Sequence, residues 1–227
     1  MIQLVVDSTA AVPKDFLEQH ANVHVIPLFI SVKGEYVPEN EATIEQVIEY
    51  SESTKKAVPT SQPSTGDFLK LFESLPKEDP IIVICITSGV SGTYNGAVLA
   101  ARQSGRKQIA VINSRTTAVG MMEVLEDGLD MIEKGLSFEE ISKGLQESAS
   151  LMRTTFTVPT LDYLRRGGRV GKAAGLIGSI LKIKPVIFLN DNNEVDVLAK
   201  VRTESCRRHA RLSPQEFTLP SHRHCPY

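Results

Sequence analysis

The sequence predicts an α/β protein in which an N-terminal α/β/α domain, built on a parallel sheet, precedes a second α/β domain. Three observations carry that prediction. Ile81-Ile82-Val83-Ile84-Cys85-Ile86 is an unbroken, largely β-branched run, as a strand covered on both faces requires. Strand-like runs alternate with segments of helical apolar spacing as far as about Met152, the pattern of parallel βαβ units. After Arg153 the texture changes to short β-rich, basic and glycine-rich segments.

Leu4 to Val6 reads as the first buried strand, and Val23 to Ile30, interrupted at Pro27, as the second. Between them Pro13 suits a first helical turn, with Phe16 and Leu17 as a small apolar face. Thr43 with Gln46, Ser64 with Asp67 and Ser137 with Glu140 have capping-box spacing, each ahead of apolar residues three and four apart. Helices are therefore predicted near 44–53, through Phe68 to Leu75, and from Ser137 to about Met152. Thr87 to Thr93 is a Gly, Ser and Thr-rich loop leading from the central strand into a helix. Gln108 to Ile112 is a further strand, and Thr117 to Lys134 a long amphipathic helix.

Beyond Arg153, Thr154 to Thr160 is β-rich, and Lys184 to Leu189 with Val195 to Arg202 flank an Asn and Asp-rich turn, as in a hairpin. A domain boundary is placed at 153. From Glu204 to Tyr227 there is no Lys and no apolar period, yet the segment holds three of the five His and two of the three Cys. It reads as an aberrant, frame-shifted or disordered tail, an ordered tail being the alternative.

Composition narrows the function. Among 227 residues, 25 basic side chains oppose 27 acidic ones, so no surplus charge calls for a nucleic-acid partner. No apolar run approaches the ~18 residues of a membrane span, and integral membrane association is not expected. Met1 to Asp7 lacks the basic start of a leader. Cys85, Cys206 and Cys225 show no paired spacing, which suits a reducing cytoplasm.

Two hydroxyl-rich loops could carry chemistry, Pro59-Thr60-Ser61-Gln62-Pro63-Ser64 and Thr87-Ser88-Gly89-Val90-Ser91-Gly92-Thr93. Each precedes a predicted helix, and the second leaves the carboxyl end of a central strand, where open α/β sheets place their ligands. Hydroxyls and helix-start N–H groups there can receive an anion; ordinary capping is the alternative. Convergence of the two loops at one sheet edge is expected.

Rival chemistries fit less well. Gly89-Val90-Ser91-Gly92 is not the G-x-S-x-G elbow, and Gly89, Gly92 and Gly96 do not make G-x-G-x-x-G. Asp7-Ser8-Thr9 suggests an aspartyl nucleophile for a small-molecule phosphotransferase or phosphatase, but Thr9 stands where haloacid-dehalogenase-like enzymes place a second acid. His222, His224 and Cys225 lack a second ligand pair, and His20 with His24 do not share a helix face, so no metal site and no cofactor are expected. Arg165-Arg166-Gly167-Gly168-Arg169-Val170-Gly171-Lys172 suits contact with a carboxylate or phosphate, or a solvated turn. Ala173 to Leu181, with small residues among Leu and Ile, suits core or the wall of a lipid tunnel.

Taken together, Asp7-Ser8-Thr9, Thr60-Ser61-Gln62-Pro63-Ser64, Ser91-Gly92-Thr93-Tyr94, Arg165-Arg166-Gly167-Gly168-Arg169, Lys182-Ile183-Lys184-Pro185 and Lys200-Val201-Arg202-Thr203 resemble the DegV family, which includes fatty-acid-binding subunits of bacterial fatty acid kinase. The resemblance spans residues 1 to 203. It implies an N-terminal domain over 1–153 and a lipid-binding C-terminal domain represented only by 154–203, with one long-chain fatty acid buried between them. By the same resemblance Thr60 and Ser91 hold the carboxyl group, Ser61, Gly92 and Thr93 adjoin it, and Arg169 and Arg202 belong to the carboxylate region or the kinase-facing surface. The implied role is non-catalytic: the bound acid is presented to a separate ATP-dependent kinase subunit, which makes acyl-phosphate. The family's His-Thr-Gly-Pro-like segment has no counterpart here, so an incomplete second domain is expected.

Overall fold

A computed structural model describes residues 1–32, 34–176 and 183–202. The first sheet has the order β2-β1-β6-β7, with β1 at Gln3–Asp7, β2 at Val23–Ile26, β6 at Ile81–Cys85 and β7 at Ile109–Asn113. Every pairing in it is parallel. Alternation along the strands divides the core into two layers. Leu4, Val6, Ile82, Ile84 and Ile112 pack with Val124, Leu125, Ile141 and Leu145 of α5 (Val119–Glu133) and α6 (Phe138–Leu151). Val5, Ile81, Val83 and Cys85 pack on the opposite face with Phe68, Phe72, Ala97 and Ala100 of α3 (Thr65–Ser74) and α4 (Thr93–Gln103). The α/β/α sandwich thus follows from strands apolar on both faces.

All three anticipated capping boxes form: Thr43 with Gln46 opens α2 (Ile44–Thr54), Ser64 with Asp67 opens α3, and Ser137 with Glu140 opens α6. Each satisfies helix-start donors and contributes about 1 kcal/mol. The short helix α1 (Lys14–Gln19) begins directly after Pro13.

The run read as one strand from Val23 to Ile30 is two. Pro27, which has no N–H to donate, separates β2 from β3 (Phe29–Val32), and β3 belongs to another sheet. That sheet is antiparallel, of order β4-β3-β5, with β4 at Glu35–Pro38 and β5 at Thr60–Ser61. Helix α2 lies in the same excursion and buries none of its residues; Ile44 is 74% and Ile48 50% exposed. Its apolar spacing fixed the helix but not a cover for it.

The third sheet, β10-β9-β8, is antiparallel: β8 at Thr155–Thr157, β9 at Ile183–Leu189 and β10 at Val195–Arg202. The predicted hairpin is present as β9 and β10. Arg165 and Arg166, expected in a glycine-rich loop, instead close helix α7 (Asp162–Arg166), which stops at Gly167. Ala173, Ile187 and Val195 form a small core here, and Val90 of the first domain packs against it. Of the suspected tunnel wall, Ala173 is therefore core and Ala174 and Gly175 are exposed, while residues 177–181 and the tail at 204–227 lie outside the described residues. Among the described residues no helix is long and apolar enough to cross a membrane, and no three His, Cys, Asp or Glu are grouped to hold a metal ion.

Candidate functional site

From β1 the chain turns to β2 on one side, and from β6 to β7 on the other. The carboxyl ends of β1 and β6 therefore flank the crevice where an open α/β sheet offers a binding site. A cavity of about 370 Å³ lies there, a volume suited to a small molecule. Its base comes from the ends of the central strands, through Thr9, Ile86 and Thr87. One wall comes from the β3–β5 excursion, through Leu28, Phe29 and Thr60, and another from the third sheet, through Phe156, Leu189 and Val195.

Both hydroxyl-rich loops reach this cavity. Thr60, Ser61 and Ser91 line it, as does Arg169. The loops also touch each other: a Cβ on Gly92 would fall 2.1 Å from Gln62 Oε1, so glycine lets the Gln62 side chain pass. Gly92 thereby joins the loops, and it is the N-cap of α4 without a side-chain cap of its own. Beyond the Thr93 amide, the next N–H groups at the start of α4 have no carbonyl of their own helix to donate to and can receive an anion. Thr93 is fully buried and not among the cavity's lining residues. Its Oγ1 and the Ser91 Oγ share a hydrogen bond of 2.8 Å, and its amide donates to Ser91 Oγ at 3.3 Å. Arg169 is exposed; its Nε donates to the Val90 carbonyl at 3.2 Å and its Nη1 to the Gly167 carbonyl at 2.6 Å. The Arg202 side chain lies outside the described residues.

Asp7 does not face the cavity as a nucleophile would. It is 0% exposed. Its Oδ1 accepts from the Thr9 amide at 3.1 Å and the Thr9 hydroxyl at 2.5 Å, and its Oδ2 accepts from the Ile86 amide at 2.6 Å. With both oxygens engaged, the carboxyl ties β1 to the end of β6 and offers nothing to a phosphoryl donor. Burial raises it above its ordinary value of 3.8, against the pull of the Thr9 hydroxyl and the Ile86 and Thr9 amides, and the charge of Glu39 adds to the rise. A raised folded value means that its contribution is fully present below the unfolded value and is lost as pH climbs through the folded one. In Asp7→Asn an amide nitrogen cannot accept from Ile86, at a cost of about 1–3 kcal/mol. We expect the stability of wild type minus that of Asp7→Asn, measured by urea unfolding, to fall as pH rises above about 4, other groups cancelling in the difference. A difference independent of pH would reject this account.

Sequence reasoning missed much of the lining. Thr9 was visible in the Asp7-Ser8-Thr9 motif, whereas Leu28, Phe156, Leu189 and Val195 carry no local signal distinguishing them from core. A larger cleft, about 440 Å³, opens at the opposite edge of the first sheet beside Lys77, Arg106 and Gln108. Its Arg106 guanidinium donates to the carbonyls of Phe72, Leu75 and Pro76, a structural clamp on the turn before β6. The smaller cavity, where loops from three sheets converge, is the better candidate.

The chain is similar to known proteins along most of its length. The family model for DegV, described as an uncharacterised protein family, matches residues 1–210. A DegV domain-containing protein of Staphylococcus aureus (strain COL) is 35% identical over 204 residues, covering 89% of this chain and 72% of the relative. Protein DegV of Bacillus subtilis (strain 168) is 34% identical over 205 residues, with the same shares. Among solved structures, the Bacillus subtilis DegV, a fatty acid binding protein, superposes with a TM-score of 0.78 at 33% identity over 92% of this chain and 75% of that one. A stearic acid-binding protein from Eubacterium ventriosum gives 0.79 at 31% identity over 92% and 74%. A DegV family protein from Thermus thermophilus, solved for its fatty acid binding, gives 0.82 at 28% identity over the same shares.

Proposed function

As the chain belongs to the DegV family, we propose that it binds a long-chain fatty acid in the cavity between β1 and β6 and presents the carboxyl group to a separate ATP-dependent kinase subunit. The observation that carries this reading is one cavity in which apolar Leu28, Phe29, Phe156 and Leu189 meet the hydroxyl-bearing Thr60, Ser61 and Ser91. Transfer from water contributes about 0.8 kcal/mol per methylene, so a ~14-methylene tail supplies on the order of 10 kcal/mol before ordering costs. The carboxylate would be costly to dehydrate alone. Charge-assisted hydrogen bonds from Thr60, Ser91 and the start of α4 offset that cost and fix its position. Ser61 and Gly92 adjoin the head group, and Thr93 holds the Ser91 hydroxyl.

In this reading residues 1–153 supply the head-group loops, and Phe156, Leu189 and Val195 of the second domain supply the lipid-facing wall. Thr60 and Ser61 are exposed, as is Arg169, so the polar side of the cavity is open to another protein. Arg169, with Arg202, would meet the kinase subunit or the carboxylate. The chain itself carries out no chemistry: the kinase transfers a phosphoryl group from ATP to the presented carboxylate, giving acyl-phosphate. A reducing cytoplasm suits the free, buried Cys85.

Native mass spectrometry of the purified chain, followed by lipid extraction, tests the binding step. We expect a mass increment of one long-chain acid, lost on denaturation, and acyl-phosphate formation once a fatty acid kinase subunit and ATP are added. A folded chain that stays unloaded with palmitate and oleate would end the proposal.

A further inference from the structure

The turn that carries Ser91 is held from two directions. On its own side, Asn113 at the end of β7 accepts from the Ser88 amide at 3.2 Å and donates to the Ser88 hydroxyl at 2.8 Å. The same Asn113 Oδ1 accepts from the Arg115 amide at 3.2 Å. Arg115 then reaches across to the third sheet, where its Nη2 donates to the Asp191 carbonyl at 2.9 Å. Asp191 belongs to the tip of the β9–β10 hairpin, and that tip comes back onto the turn. A Cβ on Gly89 would lie 1.7 Å from the Asn193 carbonyl oxygen, so the two backbones are in direct contact. The contacts close a ring through Asn113, Ser88, Gly89, Asn193, Asp191 and Arg115.

The tip is braced by its own hydrogen bonds. Asn190 Oδ1 accepts from the amides of Asn192 and Glu194, both at 3.0 Å, and the Asn190 carbonyl accepts from the Asn193 amide at 2.7 Å. Asn193 has φ +65°, a left-handed conformation that Asn tolerates better than most residues. Its Oδ1 is buried with no hydrogen-bond partner among the described residues, a cost accepted to keep the backbone there. Arg169 adds a second hold from the same domain by binding the Val90 carbonyl.

We infer that residues 190–194 are a positioning element for the Ser91-bearing turn, so that preference for an acidic over a neutral head group depends on the hairpin tip. The inference rests on the fatty-acid reading above. Hydrogen bonds to a charged head are sensitive to small displacements, whereas apolar burial of the tail is non-directional. A displaced tip therefore removes discrimination at the head and leaves tail binding in place.

The test compares oleate with oleyl alcohol in competition binding to wild type, Gly89→Ala and Asn190→Ala. In Gly89→Ala the added methyl forces tip and turn apart. Asn190→Ala loosens the tip without placing anything in the cavity, and it carries the test if the first variant does not fold. We expect each variant to bind oleate about tenfold more weakly, the equivalent of one charge-assisted hydrogen bond, and oleyl alcohol as wild type does. Folded variants that keep the full preference for oleate overturn the inference alone. Wild type that binds neither lipid overturns it together with the fatty-acid reading.

Discussion

Phe68→Ala is expected to lower the unfolding free energy by about 3–5 kcal/mol, which in a chain of this size shifts the melting temperature by roughly 6–20 °C. Phe68 is fully buried on α3, tilted against Phe72 with ring centroids 6.0 Å apart. The two rings fill the layer between α3, α4 and the sheet residues Val5, Ile81 and Val83. Truncating one leaves a cavity that a close-packed sandwich closes only in part. Ile48→Ala is the matched control. It also removes apolar atoms from a helix, but from a side chain 50% exposed, and we expect about 0.5 kcal/mol or less. Urea unfolding of both variants provides the check. A Phe68→Ala loss below about 1 kcal/mol would mean that this layer is not the core of the sandwich. The loss also matters to the site, because the N-cap of α3, Ser64, lies two residues beyond Gln62 and so fixes where the Thr60 loop meets Gly92.

The contrast between Phe68 and Ile48 shows where the sequence was readable. Both sit at helical apolar spacing behind a capping box, and the cap residues, which act over three positions, placed both helices correctly. Spacing says which residues share a face and not what covers that face, so it could not separate the buried α3 from the exposed α2. The central strand was legible because Ile81 to Ile86 is apolar at every position. Pro27 was visible too, but its consequence, a switch from one sheet to another, depends on pairing with Pro59 to Ser61, some thirty residues downstream. Asp7 is the sharpest case. Its local motif allowed a nucleophile, whereas its role is set by the Ile86 amide 79 residues away. The same applies to the cavity. The two hydroxyl loops carry a local signature; the strand-end rule for open sheets places the Thr87–Thr93 loop, whereas Thr60 and Ser61 arrive through the pairing of β5 with β3 in another sheet. Phe156, Leu189 and Val195 become walls only because the third sheet folds back on the first domain through Val90, Arg115 and the hairpin tip.

Ser91→Ala should separate binding from folding, but only when paired with a second change. Removing the Ser91 hydroxyl deletes the donor proposed for the carboxylate and also strips Thr93 Oγ1 of its 2.8 Å partner. Thr93 is fully buried, and a buried hydroxyl left without a partner costs about 1–3 kcal/mol. The single variant is therefore expected to melt lower and to bind oleate about 10–100-fold more weakly, the range for a hydrogen bond to a charged group. Thr93→Val replaces the stranded hydroxyl by a methyl of similar size. In Ser91→Ala/Thr93→Val we expect most of the lost stability to return, while oleate binding stays weak and oleyl alcohol binding stays near that of wild type. Thermal melts and competition binding on the same samples read the two quantities separately. If the double variant regained oleate affinity along with stability, Ser91 would be a structural cap for α4, and the carboxyl group would have to be held by Thr60 and the helix start alone.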